Sequence, residues 1–498
     1  MTLLTLTGDT MLRLWDMRIE ITKHSSLAVY MQIAKKIIQE IQLGRLSPLT
    51  AMPGTRDLAQ SLGVNRKTVV LAYDELVAQG WLTTEFRRGT FVAADIPTVH
   101  KLEDTSSQNI SALHNLSTPT ELSPVIDREL TTDKLKPFND GIPDTRLIPY
   151  EVLSRTFRHA LISSSRANLL GYENPRGALA LRKSVSTMLN MERAMHTDIN
   201  QVCIVRGSQM GIFLAARILT SAGDNVVFEH LTYAPAREAF RSCGANIIEV
   251  GLDEHGLKLD ELESLCRKTK IKAIYVTPHH QFPTTVMLSA ERRLRLLLLA
   301  EQYDFVIIED DYDHEFHFSH HPVFPLCSDD RSGRVLYIGS LSKVLAPGLR
   351  IGYIVAPQKF IDRCAAEIML IDRQGNTVTE LATSELIDSG EMKRHIRKAF
   401  KIYAERRTLL AELLRTELSG YIDFDMPHGG LAFWLRFKNE TKIKAVTKRS
   451  LNEEMQIPHA LIFNLVPPNT QGIRLGFASC NKNELTDNVK RLKQLLTK

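Results

Sequence analysis

Cysteine is scarce in this 498-residue chain and widely scattered. Cys203, Cys243, Cys266, Cys327, Cys364 and Cys480 form no Cys-x-x-Cys pair. That argues against a disulfide framework or a cysteine-based zinc site and fits a reducing cytoplasm. Long apolar runs are also missing. The longest, Leu294 to Ala300, contains Arg295 and is far too short to span a bilayer. The opening stretch MTLLTLTGDTMLRLWDM lacks a basic start, a sustained apolar segment and a small-residue cleavage site, so no signal peptide is expected. Met11 or Met17 would serve equally as the start, and residues 1–20 are expected to be an N-terminal extension outside the fold. A strong charge of one sign is absent as well. The net +5 does not by itself indicate a nucleic-acid partner.

What is present divides into three regions. Residues 21–94 are dense in helix and turn signals, residues 95–136 are expected to be a flexible linker, and residues 137–498 alternate short apolar runs with amphipathic stretches. A short helix near Ile110 to Leu116 is the one element expected in the linker. The third pattern is that of an α/β domain with a mostly parallel sheet. Its expected strands are Val202 to Val205, Asn225 to Glu229, Ile247 to Val250, Ala273 to Thr277, Phe305 to Glu309 and Val335 to Gly339, each near-continuously apolar as in strands covered on both faces.

In the first region Tyr30, Ile33, Ile37, Ile38 and Ile41 recur at helical spacing, with Lys35, Lys36 and Glu40 on the opposite face. Gly44 ends that helix. A second helix begins at Gly54 or Thr55 and runs through Leu62, Gly63 makes a tight turn, and Asn65 caps a third helix. WLTTEFRRGTFVA then reads as two short strands with Arg87, Arg88 and Gly89 at the tip. This is a winged helix-turn-helix pattern, although a helical cap with a solvated hairpin would give a similar one. Lysine and arginine number nine against six acids between Glu20 and Ala94, so position matters more than total. The cations gather at Arg56, Arg66, Lys67, Arg87 and Arg88, where a recognition helix and wing would meet DNA.

The chemistry-bearing motifs lie in the third region. In YIGSLSKVLAPGLRIGY a buried strand ends at Gly-Ser and a loop carries Lys343, where α/β folds place ligands. Ser340, Ser342 and Arg350 offer two hydroxyls and a cation suited to a phosphate. A lysine that attacks an aldehyde must be partly desolvated, as this position allows. VIIEDDYDHEF brings Asp310 and Tyr312 past another strand. An acid there could keep the ring nitrogen of pyridoxal 5′-phosphate (PLP) protonated, and a tyrosine could donate to its phenolate oxygen. A solvated or cation-binding acidic cluster is the competing reading. Ser208 and Gln209, between a strand and a helix, suit a phosphate; His280 and Gln281 could face the ring from its phenolate side; Tyr233 could stack on it. Arg474 in GIRLGFA could fork onto a substrate carboxylate. His314, His317, His320 and His321 crowd DHEFHFSHHP, but solvated loop histidines account for them and no metal is expected.

Residues 21–94 resemble the GntR-type winged helix in the PGTRDLAQSLGVNRKTVVLAYDELVAQGWL run and in RGTFV. From about Phe138 to Leu496 the motifs GYENPRG, RGSQ, TPHHQFPTT, EDDYDHEF, SLSKVLAPGLRIGY and IRLGF resemble the fold-type I, class I aminotransferases. Together they resemble the MocR-type regulators. That resemblance implies DNA contacts from Arg56, Asn65, Arg66, Thr68, Arg88 and Gly89. It implies PLP on Lys343, with Asp310 at the ring nitrogen, Tyr312 at the phenolate, Tyr233 on the ring, and Ser208, Gln209, Ser340, Ser342 and Arg350 at the phosphate. Tyr172 would reach the phosphate in a partner subunit, which requires a homodimer, and the effector would be an amino acid or amine. One departure is Thr285, where the family has glycine. A β-branched residue resists positive φ, so a reshaped loop is expected there.

Overall fold

The computed structural model describes residues 19–22, 27–96, 139, 141–318, 323–438, 462–463 (backbone only) and 472–497. The chain divides into two compact units, Met1–Thr120 and Glu121–Lys498. The helix expected at residues 110–116 lies outside the described residues.

The first unit contains α1 (Val29–Gln42), α2 (Thr55–Leu62), α3 (Arg66–Ala78) and the antiparallel pair β1 (Leu82–Glu85) and β2 (Gly89–Val92). Ile33, Ile37 and Ile41 bury one stripe of α1 against Leu58, Val69 and Leu76. Gly63 closes α2 at φ +62°, a left-handed conformation that costs glycine no Cβ clash. Asn65 caps α3 by accepting from Lys67 N at 2.9 Å. Glu40 departs from expectation. It is buried rather than solvated, because Arg45 folds back after Gly44 and donates to it at 2.5 and 2.9 Å.

The second unit is built on seven strands, β3 (Val202–Val205), β4 (Asn225–Glu229), β5 (Asn246–Val250), β8 (Ala273–Val276), β9 (Val306–Asp311), β10 (Val335–Ser340) and β11 (Gly352–Val355), with a small hairpin of β6 (Leu252–Asp253) and β7 (Gly256–Leu257) outside that sheet. The order is β3-β11-β10-β9-β8-β4-β5, parallel except for β11, which runs against both neighbours. The helices are α4 (Tyr150–Arg166), α5 (Leu179–Glu192), α6 (Gly207–Leu219), α7 (Ala234–Ser242), α8 (Leu259–Lys268), α9 (Ala290–Tyr303), α10 (Leu326–Asp329), α11 (Gln358–Ile371), α12 (Thr377–Asp388), α13 (Glu391–Leu418) and α14 (Lys482–Thr497). Apolar cores around Phe228, Ile338 and Ile354, and around Ile274, Ile307 and Leu296, hold the main strands. A separate core packs α13 and α14 on an antiparallel sheet ordered β12 (Ile422–Phe424), β13 (Ala432–Phe437), β15 (Gly472–Gly476) and β14 (Ile462–Phe463). The carboxyl ends of β3, β4, β8, β9 and β10 lie along one edge of the main sheet. That edge is where a parallel sheet opens a ligand crevice.

Candidate functional site

β9 carries Glu309, Asp310 and Asp311 in succession, all buried. Because side chains alternate across a strand, neighbouring acids face opposite ways. Asp310 Oδ2 accepts from Tyr275 Oη on adjacent β8 at 2.6 Å, while its Oδ1 is buried with no partner among the described residues. Burial pushes the Asp310 carboxyl up to about 7; Asp311 and Asp313 add to that, and Tyr275 and Lys343 oppose it. A protonated ring nitrogen would give the orphaned oxygen its donor and the buried charge its partner. Asp311 behaves differently. Burial would raise it, but His314, His279 and Arg193 hold it well below the usual carboxylate range. It accepts from Tyr337 Oη at 2.7 Å and lies 3.6 Å from the buried Arg193 guanidinium. The acidic cluster is therefore neither solvated nor at one site.

Lys343 follows the end of β10, half-buried, with Nζ donating to Gly141 O at 2.9 Å. Ser340 and Ser342 are buried; Ser342 N donates to Ser340 Oγ at 3.3 Å, and Ser342 Oγ has no partner among the described residues. Gly207 opens α6 at φ +75°, and a Cβ there would lie 2.9 Å from Cζ of Arg350. Glycine thus lets the guanidinium approach the helix N-terminus, where Ser208 and unbonded backbone N–H groups sit. Arg350 is itself left-handed at φ +52° and donates to Arg206 O at 3.1 Å. Two hydroxyls, an arginine and a helix start together fit a phosphate, and Lys343 with Asp310 fits the aldehyde and ring nitrogen of PLP.

Tyr312 Oη donates to His280 O at 2.9 Å and lies 3.3 Å from Arg474 Nη2. Arg474 is central in its sheet and only 1% exposed. It donates to Pro283 O at 2.8 Å and sits 4.7 Å from the Phe282 ring centroid. Tyr233 packs edge-on to the same ring at 5.4 Å. Gln209 donates to Pro235 O at 3.3 Å, and its buried Oε1 has no partner among the described residues. Tyr172 is 81% exposed beside Arg373.

Three expectations are corrected. Gln281 does not face a cofactor: its amide donates to Glu229, Leu231 O and Phe282 O and accepts from Thr284, because these buried groups need a partner. His280 also turns away, its Nδ1 2.7 Å from Asp313 Oδ1. Thr285 takes the positive φ that a β-branched residue resists. It adopts φ +65° as a glycine would, at a cost of roughly 1–2 kcal/mol, with its N–H donating to Gln281 O at 2.7 Å. His314 and His317 are half-buried and packed on His279, not solvated; His320 and His321 lie outside the described residues. Sequence reasoning also missed Tyr275, which orients Asp310. Within the apolar run AIYV it reads as a core residue, and no local signal distinguishes it.

On the first unit Arg56, Arg66, Lys67, Arg87 and Arg88 are exposed, and Thr68 is half-buried on the first turn of α3. Arg66 Nε reaches Thr55 Oγ1 on α2 at 3.4 Å. Arg88 pairs with Glu85 at 2.5 Å, but an exposed pair of this kind holds it weakly. Gly89, at φ +116°, turns the wing.

The family model for aminotransferase class I and II matches residues 145–492, and that for bacterial regulatory proteins of the gntR family matches residues 29–92. The regulatory protein MocR of Rhizobium meliloti is 28% identical over 95% of this chain and 94% of its own length. The HTH-type transcriptional regulator TauR of Rhodobacter capsulatus is 28% identical over 93% of this chain and 96% of its own. Among solved structures, the multiple substrate aminotransferase of Thermococcus profundus superposes with a TM-score of 0.67 at 26% identity, covering 76% of this chain and 96% of that one. No helix among the described residues is long and apolar enough to cross a membrane. The chain belongs to the aminotransferase class I and II family and, with its gntR-family winged helix, has the architecture of the MocR-type transcription regulators.

Proposed function

We propose that this chain binds DNA as a cytoplasmic homodimer and that the state of its PLP pocket, open to an amino acid or amine, sets how it binds. The observation that carries this reading is a pocket with its lysine, acid and phosphate cradle on the same chain as a winged helix with exposed cations. PLP, when bound, supplies an aldehyde and an electron sink. Lys343 would hold that aldehyde through Nζ, which here donates to Gly141 O. Asp310 holds a proton at the ring nitrogen, with Tyr275 fixing the carboxyl. Tyr312 would turn its hydroxyl from His280 O to the phenolate oxygen. Ser208, Gln209, Ser340, Ser342 and Arg350 hold the phosphate, joined by Tyr172 from across the dimer. Tyr233 covers the ring, and Arg474 receives an effector carboxylate. Arg66, Lys67 and Thr68 enter the major groove at the start of α3, Arg56 and Asn65 support them, and Arg88 and Gly89 bring the wing to the backbone.

A working aminotransferase with an appended DNA-binding arm is favoured by the same complete set of pocket residues. The deciding experiment measures operator and random-duplex binding with and without PLP, in the natural chain and in Lys343→Ala. The regulator reading expects a PLP-dependent change in operator affinity that Lys343→Ala abolishes, together with loss of the visible cofactor band. Operator binding indifferent to PLP, alongside sustained amino transfer, would establish the aminotransferase instead.

A further inference from the structure

Next to Tyr312, which donates to His280 O, lies a cluster of imidazoles that the proposed function does not use. His279 and His280 follow β8, and His317 follows β9. A ligand nitrogen from each lies within 4.8 Å of the other two. His279 and His280 are 2% and 1% exposed. Neither ring nitrogen of His279 has a partner among the described residues, a costly state for a buried polar ring.

We propose that His279, His280 and His317 form a binding site for one transition-metal ion of the zinc class. His280 Nε2 and His317 Nδ1 are 3.5 Å apart, at the far limit of a hydrogen bond. Two nitrogens on one tetrahedral zinc, with bonds of about 2.0–2.1 Å, lie about 3.3 Å apart, so this edge of the tetrahedron is nearly formed. The second shell is present as well. His280 Nδ1 is 2.7 Å from Asp313 Oδ1, the carboxylate–histidine pairing that fixes the tautomer, leaves the Nε2 lone pair for a metal and orients the ring. The Gly429 backbone packs beside His280, where any added Cβ would overlap Nε2, so only glycine leaves room next to that nitrogen. His279 also lies within reach of Asp311 and His314, but His314 Nδ1 and Asp311 Oδ2 already meet at 2.9 Å. The three-histidine set therefore fits better. Three neutral imidazoles with an open fourth position select a borderline ion such as Zn²⁺ or Co²⁺ over Mg²⁺ or Ca²⁺. Because His280 O accepts from Tyr312, the ion would stiffen the segment that supports the cofactor's phenolate side.

The test uses the full-length chain without a histidine tag, stripped with a chelator and titrated with Co²⁺ and then Zn²⁺. One Co²⁺ per chain, with the visible d–d bands of a tetrahedral site and displacement by Zn²⁺, is expected. Asp313→Asn should weaken binding about 10–100-fold, and His317→Ala more steeply. Circular dichroism and the visible cofactor band check that each variant is folded. His320→Ala with His321→Ala should leave the stoichiometry unchanged. No saturable binding, or full binding by a folded His317→Ala, overturns the site. So does loss confined to the His320/His321 pair or to His314→Ala.

Discussion

The two units of this chain place charge in opposite ways. The winged helix exposes Arg56, Arg66, Lys67, Arg87 and Arg88 on a small apolar core. The aminotransferase-like unit buries the charges of Asp311, Arg193 and Arg474, and burial raises the carboxyls of Glu229, Glu309 and Asp310. Exposed cations are cheap to keep and easily screened, which suits reversible contact with phosphates. Buried charges are stable only when partners are preplaced, and they respond strongly to what fills the pocket. A regulator gains from having both: one surface that grips weakly and adjustably, and one interior that registers a bound molecule.

The largest expected effect that would sharpen this contrast is at Asp310. Asp310→Asn removes one side of a buried charge pair with the cofactor and should weaken PLP binding by about 2–5 kcal/mol in a spectroscopic titration. DNA binding by the cofactor-free variant should be unchanged. Retention of full PLP affinity would mean that Asp310 does not meet the ring nitrogen.

Arg193 tests the interior without touching the cofactor. It donates to Glu315 at 2.5 Å and Tyr353 Oη at 3.1 Å and lies near Asp311. Arg193→Met would take the guanidinium from buried Asp311 and half-buried Glu315, at about 3–5 kcal/mol. Calorimetry should show a lower midpoint for the large unit and no shift for the winged helix. A common shift in both would break the contrast.

At the DNA surface the effects should be smaller. Arg66→Ala should cost about 1–3 kcal/mol on a matched operator if the side chain reads a guanine, with relaxed preference at that base. Arg88→Ala should weaken all duplexes alike and lower the salt slope by about 1. If both variants behave the same on operator and random DNA, α3 is not the reading helix.

The subtlest prediction concerns pH. The Asp310 carboxyl is raised from an ordinary value of 3.8 to about 7 in the folded protein. An acid raised on folding stabilises the fold fully below its unfolded value, and that contribution is lost as pH rises through the folded one. The cofactor-free large unit should therefore lose this contribution between about pH 4 and 7. A bound ring cation removes the penalty, so the rise in unfolding temperature caused by PLP should be larger at pH 8 than at pH 5. His230, lowered by burial, contributes in both states and cancels in the difference. A PLP-induced shift independent of pH would remove Asp310 from this role.

Much of this was legible along the chain because the governing physics is local. The apolar period of α1, the Gly63 turn, the Asn65 cap and the cation-tipped hairpin each depend on neighbours a few residues away. The strands Val202–Val205 and Asn225–Glu229 coincide with their apolar runs, and β9 runs on through Asp311, past the expected Glu309. Its polar end still pairs with β10, Asp311 against Gly339, so composition alone misplaced the boundary.

By itself the sequence located α1–α3, β1, β2, the strands β3, β4, β5, β8, β9 and β10, and Lys343 after β10, since periodicity, caps and strand–loop junctions are written in consecutive residues. Only the tertiary structure decided what those side chains meet. Tyr275 reaches Asp310 because β8 and β9 pair in one register, 35 residues apart in sequence. Gln281 turns inward because Glu229 and Leu231 O, more than 49 residues earlier, require donors there. His317 meets His280 from 37 residues away. Such contacts depend on strand register and on the closing of loops over one sheet edge, and no short window of sequence contains that information.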